Sequence, residues 1–388
     1  MPKYLFKPQI LLVGIFMLVF SFLSCSDTSE KVYSGPQQVD SLVQQYMDKY
    51  HIQGASVAIT KDEKLVYRKA YGFADTAAQE AMHTGHLFRI ASISKPVTGV
   101  AIFKLMEQGK LDLDQTVFGP EGILGERYGT PPYKGDIPKI TVRHLMQHTA
   151  GGWSNSKNDP MFFNKDWSMD KLIGFTLDSV PLQDVPGTRY AYSNFGFCIL
   201  GRVIEELTGQ DYETYLQDSI LRSIGAQGMR VGGNTLAERL PNEVIYYGDS
   251  TSGPDAYKYN ITRMDAHGGW IASPSDLVRL MAHVDGRTGM PDVLSVSNVA
   301  LMTEVSDAKD NATYAYSWRV DSAGTRWHSG SLPGTSTHLR LLPNGNSWSI
   351  LTNGRVKGNF ADLEPLLNAT MQDESLEWPE QDLFSTVD

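Results

Sequence analysis

Ser92-Ile93-Ser94-Lys95 sets a hydroxyl and an amine three residues apart at the predicted start of a helix. Side chains at i and i+3 share a helix face, so the Lys95 amine can reach the Ser92 oxygen. A free serine attacks an acyl carbon poorly until a nearby base takes its proton, and a lysine at that spacing can supply the base. The continuation from Pro96 to Gly109 reads as an apolar helix with proline in its first turn and a terminating glycine. Ser92 is therefore expected at a helix N-terminus, where free amides and the dipole favour developing negative charge. Such a four-residue pattern also arises by chance, and a helix cap followed by a solvated lysine is the competing reading.

Two distant segments supply what this chemistry lacks. Tyr192-Ser193-Asn194 follows the turn signal Pro186-Gly187 and precedes a periodic run from Phe195 to Leu207 that closes at Gly209. A phenol beside the Ser/Lys pair can relay a proton to a leaving group, and an asparagine amide can orient both lysine and substrate. A helix-capping Ser-Asn with Tyr192 as packing is the alternative. His328-Ser329-Gly330-Ser331 lies between two stretches rich in strand formers, Tyr314 to Val320 and Thr337 to Leu342, where it could equally be a polar hairpin edge.

In this order, Ser92-x-x-Lys95, Tyr192-x-Asn194 and His328-x-Gly330 resemble the penicillin-recognising serine hydrolases: class C beta-lactamases, D-Ala-D-Ala carboxypeptidases and related esterases. His144-Leu145-Met146-Gln147-His148-Thr149-Ala150-Gly151-Gly152 and Gly268-Gly269-Trp270-Ile271-Ala272-Ser273 with Asp276-Leu277 are similar to further segments of that group. The resemblance implies that Ser92 is the acylated nucleophile, Lys95 its general base and Tyr192 a proton relay held by Lys95 and Asn194. It also implies that His328, Ser329, Gly330 and Ser331 line the substrate site. The oxyanion hole would then be the backbone amides of Ser92 and Ser331. The implied activity is cleavage of an amide or ester through a covalent acyl-enzyme, on a D-Ala-D-Ala-type peptide, an ester or a beta-lactam. A ligand-binding or regulatory protein that keeps the pocket without turnover is the alternative. A small-molecule or peptide acyl substrate is expected, with no cofactor and no metal.

One departure bears on substrate. Class C enzymes usually carry lysine where this chain has His328, and an unperturbed histidine is mostly neutral at pH 7. Any grip of His328 on a substrate carboxylate would thus weaken as the imidazole deprotonates. His144 and His148 stand four apart on a predicted helix, a spacing that could hold zinc, but without the adjacent glutamate of His-Glu-x-x-His they are read as structural. There is no Gly-x-Ser-x-Gly elbow and no Gly-x-x-x-x-Gly-Lys loop. With 34 Lys plus Arg against 44 Asp plus Glu, the chain is acidic and shows no basic stripe for nucleic acid.

The chain divides into a signal peptide (1–24), a polar tether (25–38), a hydrolase domain (39–371) and an acidic tail (372–388) expected to fray. Lys3 and Lys7 precede an apolar run from Ile10 to Leu23, and Phe22-Leu23-Ser24-Cys25 resembles a bacterial lipobox, which implies lipidation of Cys25. A membrane-anchored lipoprotein of the cell envelope, periplasmic or surface-exposed, is expected. An uncleaved anchor or cleavage without lipid are the alternatives. Cys198, in the apolar run, reads as a buried small hydrophobe. The fold class is α/β in the α+β sense, beta-lactamase/transpeptidase-like. An antiparallel sheet from both chain ends (39–87 and 266–371) is flanked by helices, with a mainly helical insertion (88–265). The cleft would lie at their boundary, and Trp153, Trp270 and Tyr257 are candidate walls.

Overall fold

Val57, Ala58 and Ile59 are all buried but on alternating faces, which shows how the sheet is used. In the computed structural model, which describes residues 1–3, 32–156, 158–248 and 255–385, Val57 and Ile59 join one apolar cluster and Ala58 another. Period-two alternation with both faces apolar is what a strand covered on each side requires. The sheet holds β1 (Gly54–Lys61), β2 (Lys64–Asp75), β3 (Glu80–Ala81), β7 (Arg319–Val320), β8 (Arg326–Leu332), β9 (Thr335–Leu341) and β10 (Ser347–Thr352). Its order is β3-β2-β1-β10-β9-β8-β7, antiparallel throughout, so the two chain ends meet where β1 pairs with β10. Asp62 and Glu63, at φ 50° and 61°, form the turn between β1 and β2, a conformation that matches the twist of a two-residue hairpin.

Helix α1 (Ser34–Tyr50) and the final helix α10 (Glu364–Gln372) cover one face, where Val39, Val43 and Leu367 meet Trp348 and Ile350. The other face receives the inserted region, whose helices run past the expected boundary at 265 to Leu301: α2 (Ser94–Glu107), α3 (Val142–Met146), α4 (Met169–Ser179), α5 (Asn194–Thr208), α6 (Tyr212–Leu216), α7 (Asp265–Gly268), α8 (Pro274–Ala282) and α9 (Val296–Leu301). One apolar core runs from Leu339 and Leu351 of the sheet into α2, α5 and α8, and Tyr33–Asp388 forms a single compact unit. Helix α2 starts and stops as its sequence requires, with Gly109 at φ 66° just past its end. A small second sheet joins β4 (Phe88–Arg89), β6 (Trp270–Ala272) and β5 (Arg230–Val231), an element the short segments do not announce.

Several expectations change. Only Arg319–Val320 of the stretch from Tyr314 is a strand; Ser317 takes φ 69°, and Tyr314 and Tyr316 are buried core residues outside any strand. Ser34 to Gln38, expected in the tether, belongs to α1. The tail does not fray up to Ser385: the Gly35 amide donates to the Glu377 carbonyl, and Trp378 closes over Gly35. The Arg279 guanidinium lies 4.1 Å from the Phe384 ring centroid. Apolar anchors within an acidic composition hold it down. Cys25 and the leader from Tyr4 lie outside the described residues, and no helix among those described is long and apolar enough to cross a membrane.

Gly330 of β8 sits where a Cβ would lie 2.3 Å from the Ile90 carbonyl and 3.0 Å from the Ala91 Cβ. We expect Gly330→Ala to lose about 1–3 kcal/mol in urea unfolding, the usual penalty of overpacking, with a parallel loss of activity. An unchanged midpoint would show that β8 can retreat from Ile90.

Candidate active site

Close approach of β8 to the chain just before Ser92 builds the site. Ile90 and Ala91 are clamped from several sides. The Ile90 amide donates to the Trp270 carbonyl (2.9 Å), and Thr337 Oγ1 donates to the Ile90 carbonyl (2.9 Å). Thr335 Oγ1 donates to the Arg89 carbonyl (3.0 Å), while the buried Arg89 guanidinium donates to the carbonyls of Ala256 and Gly233. Held this way, Ala91 adopts φ 49°, a conformation that persists in a non-glycine residue only where its surroundings enforce it. Ser92 then lies in a single 3-10 turn, Ala91–Ile93, immediately before α2 rather than within it.

Lys95, in the first turn of α2, is fully buried. Its Nζ stands 3.2 Å from Ser92 Oγ, 2.7 Å from Asn194 Oδ1 and 2.9 Å from the His267 carbonyl. An ammonium can donate to all three. A neutral amine donates to the amide and carbonyl oxygens and turns its lone pair to the serine hydroxyl. Burial brings the neutral form within reach by pushing the Lys95 pKa down to about 7, against the opposing pull of Asp159. A fall from 10.5 to about 7 corresponds to roughly 5 kcal/mol against the charged form. Solvent exclusion therefore outweighs the attraction of the Asp159 carboxylate that would favour the cation.

Tyr192 and Asn194 come from one junction at the start of α5. Ser193 caps α5 by accepting from the Gly196 amide, which leaves Tyr192 just outside the helix and Asn194 at its first position. Asn194 is oriented at both ends of its amide. Its Nδ2 donates to Asp159 Oδ2 (2.7 Å), which leaves Oδ1 to Lys95. Asp159 is itself pinned by the Met161 amide (3.0 Å), and its pKa is raised by burial. Lys95 Nζ lies 4.8 Å from the Tyr192 ring centroid. Burial raises the Tyr192 pKa well above the usual phenol value, with Ser92 as a hydrogen-bonding neighbour acting the other way. The group is thus a proton-bearing phenol rather than a phenolate.

His148 is not on helix α3, which ends at Met146; it takes φ 59° beyond it, and its Nδ1 accepts from the Ser193 amide. Its ring lies against Tyr192 at 4.2 Å. His144 accepts the Thr141 amide in a capping box. No metal-binding cluster exists among the described residues.

From β8, Ser331 and Leu332 line a cavity of about 280 Å³ together with Ser92, Asn155, Asp159 and Asn194. Ala91, Phe162, Met264, His267 and Gly268 complete it. Gly330 backs this wall against Ile90, and the Ser329 carbonyl faces Nδ1 of His328 (2.8 Å), which must therefore carry the proton. His328 is 3 % exposed, and Tyr314 Oη donates to its Nε2 at 3.3 Å. Burial, with the Lys95 charge adding to it, puts the His328 pKa well below 6.5. The expectation that His328 would lose a positive charge near neutral pH is corrected: it is neutral throughout that range.

Trp153 and Trp270 are core residues whose indoles donate to the Val180 carbonyl and Tyr212 Oη, and neither they nor Tyr257 line this cavity. Sequence reading missed Asp159, Asn155 and the His267 carbonyl. Asp159-Pro160 looks like an ordinary turn, and a main-chain oxygen leaves no trace in composition. Arg355, whose Nε donates to Ser331 Oγ (3.0 Å), was also unmarked. Cys198 is buried beside Met169 with its thiol pushed up to about 12, an inert core group.

A family model described as Beta-lactamase matches residues 39–370. The Staphylococcus aureus (strain MRSA252) protein flp is 26 % identical over 317 residues, covering 80 % of this chain and 61 % of that protein. The chain thus spans about three fifths of the length of the S. aureus relatives it matches. The D-amino acid amidase from Ochrobactrum anthropi SV3, solved with D-phenylalanine, matches with TM-score 0.70 at 20 % identity over 87 % of this chain and 98 % of that one. The octameric penicillin-binding protein homologue from Pyrococcus abyssi matches with TM-score 0.67 at 24 % identity, over 82 % and 73 %. At these identities the two structures speak to the fold.

Because the Asp159 charge holds the Lys95 pKa up, Asp159→Asn should let it fall. The acid limb of a kcat/KM profile on a neutral ester should then move to lower pH, read by steady-state rates across mildly acidic buffers. A limb that stays in place would separate Lys95 from it.

Proposed function

We propose that this chain, which belongs to the beta-lactamase family, is a serine acyl hydrolase that works through a covalent ester on Ser92. The substrates we assign to it are amides or esters, of the D-Ala-D-Ala peptide, simple ester or beta-lactam kind. The observation that carries this reading is the buried Lys95 amine, 3.2 Å from Ser92 Oγ with two other acceptors already satisfied. A pKa pushed down to about 7 by burial suits an amine that takes a proton near neutral pH.

In the acylation step the neutral Lys95 amine takes the Ser92 proton as Oγ bonds to the substrate carbonyl carbon. The carbonyl oxygen becomes an anion in front of the Ser92 and Ser331 amides, and removal of one such donor typically lowers the rate by about 10²–10³. Collapse breaks the bond to the leaving group, which receives its proton through the Tyr192 hydroxyl. Water then adds to the acyl carbon, gives up its proton along the same path, and the departing Oγ is reprotonated. A raised Tyr192 pKa suits a donor that must hold its proton until the leaving group departs.

A fluorophosphonate probe should label wild type and leave Ser92→Ala unlabelled, with ester turnover down by on the order of 10³ or more. Labelling that persists in Ser92→Ala would remove the assigned nucleophile. A neutral His328 leads to a second expectation: the KM ratio between a carboxylate-bearing ester and its neutral counterpart stays constant from mildly acidic to mildly basic pH. A ratio that climbs with pH through the histidine range would restore a charged imidazole to the site.

A further inference from the structure

Beyond the catalytic cavity, and sharing Phe162 and Met264 with it as a common wall, lies a second chamber of about 230 Å³. Acidic residues outnumber basic ones along the whole chain, 44 to 34, but here the balance inverts. Lys165, Lys258 and Arg263 are among its described lining residues, and no carboxylate is. The apolar part of the wall is equally defined: Phe162, 44 % exposed, meets Tyr259 edge-on with centroids 5.6 Å apart.

The chamber is built rather than incidental. Arg263 donates to the carbonyls of Asn164 (2.6 Å), Trp167 (2.8 Å) and Met161 (2.9 Å), which fixes the 161–167 loop and leaves a permanent cation in the chamber wall. Asn260 Nδ2 donates to the Lys165 carbonyl (2.8 Å), tying the second wall to the first. The Lys165 ammonium contacts Asp166 at 2.6 Å, but both are largely solvated, so a ligand carboxylate can exchange with that partner. His328, meanwhile, offers the catalytic cavity no charge.

We propose that this chamber is a second subsite of the same cleft and takes a carboxylate borne on an apolar or aromatic stem, at the end of the substrate remote from the cleaved bond. This assignment rests on the acyl-hydrolase reading of Ser92, and it narrows the substrate class to acyl compounds with a distal anion. Lys165 and Lys258 act here as specificity determinants and touch none of the reacting atoms.

The test uses matched nitrophenyl esters of graded length, each ending in a carboxylate or in its methyl ester. One series carries this end on the acyl side, the other on the leaving side. For wild type, one length should show kcat/KM roughly 5- to 10-fold higher for the carboxylate, in keeping with two partly screened ion contacts. In Lys165→Gln/Lys258→Gln that preference should vanish through KM, with the methyl ester unchanged, and added salt should reduce it in wild type. Equal rates for both members at every length in both series, or equal losses for both in the variant, would overturn the subsite. Failure of the parent reading looks different: no methyl ester is turned over and Ser92 takes no fluorophosphonate. Calorimetric titration of the same compounds into Ser92→Ala then decides without turnover. Tighter binding of the carboxylate that is lost with the two lysines supports the subsite, and equal binding overturns it.

Discussion

Burial of one amine is the constraint around which the molecule is arranged. Lys95 has no solvent contact, and each of its three neighbours comes from a different part of the chain: Ser92 beside it, Asn194 at the head of α5, and the His267 carbonyl in α7. A lone charged lysine in that position would be strongly disfavoured, so the site settles the matter by letting the proton leave near neutrality. Packing of α2 against α5 and α7 is therefore part of the chemistry. The apolar side chains that exclude water also set the basicity of Lys95.

Ser92 is placed by backbone more than by side chains. Gly330 lets β8 come against Ile90, Thr335 and Thr337 of β9 hold the carbonyls on either side, and Trp270 of β6 takes the Ile90 amide. Ala91 turns through a left-handed conformation within this clamp and delivers Ser92 to the cavity. Sheet and helical region meet here. A displacement of β8 would move the Ser331 side of the cavity and the support of Ser92 together, which couples fold stability to site geometry.

How much of this is legible in the sequence follows from which groups do the work. Side chains with a distinct chemistry at a fixed spacing are visible: Ser92 and Lys95 share a turn, and Tyr192 and Asn194 flank a helix cap. The long periodic elements α1, α2, α5, β1 and β2 are visible for the same reason, since local pattern and burial agree in them. Main-chain groups are not. Neither the His267 carbonyl nor the left-handed turn at Ala91 has a residue-type signature. Asp159 is hidden because it works through Asn194 from a distant loop, and the order of the tail is hidden because its composition is acidic while its anchors are a few aromatic rings. At His328 the residue type shows a group mostly neutral at pH 7 but not how far below the usual range its pKa lies, because burial sets that and burial belongs to the tertiary structure.

The neutrality of His328 also fits the demands of Lys95. The two groups interact, since the Lys95 charge depresses His328, and the effect is mutual: a second cation there would push Lys95 lower still. A pKa already near 7 from burial leaves little room for that push, because an amine that is too weakly basic is a poor acceptor for a serine proton. Asp159 acts in the opposite sense and holds the amine up. His148 and His267, buried and neutral beside the same lysine, add structure without adding charge. The site thus balances exclusion of water against one carboxylate and keeps its imidazoles uncharged. If the chamber beyond Phe162 takes a substrate anion as proposed, its cations do so without placing a counter-charge at His328, beside Lys95.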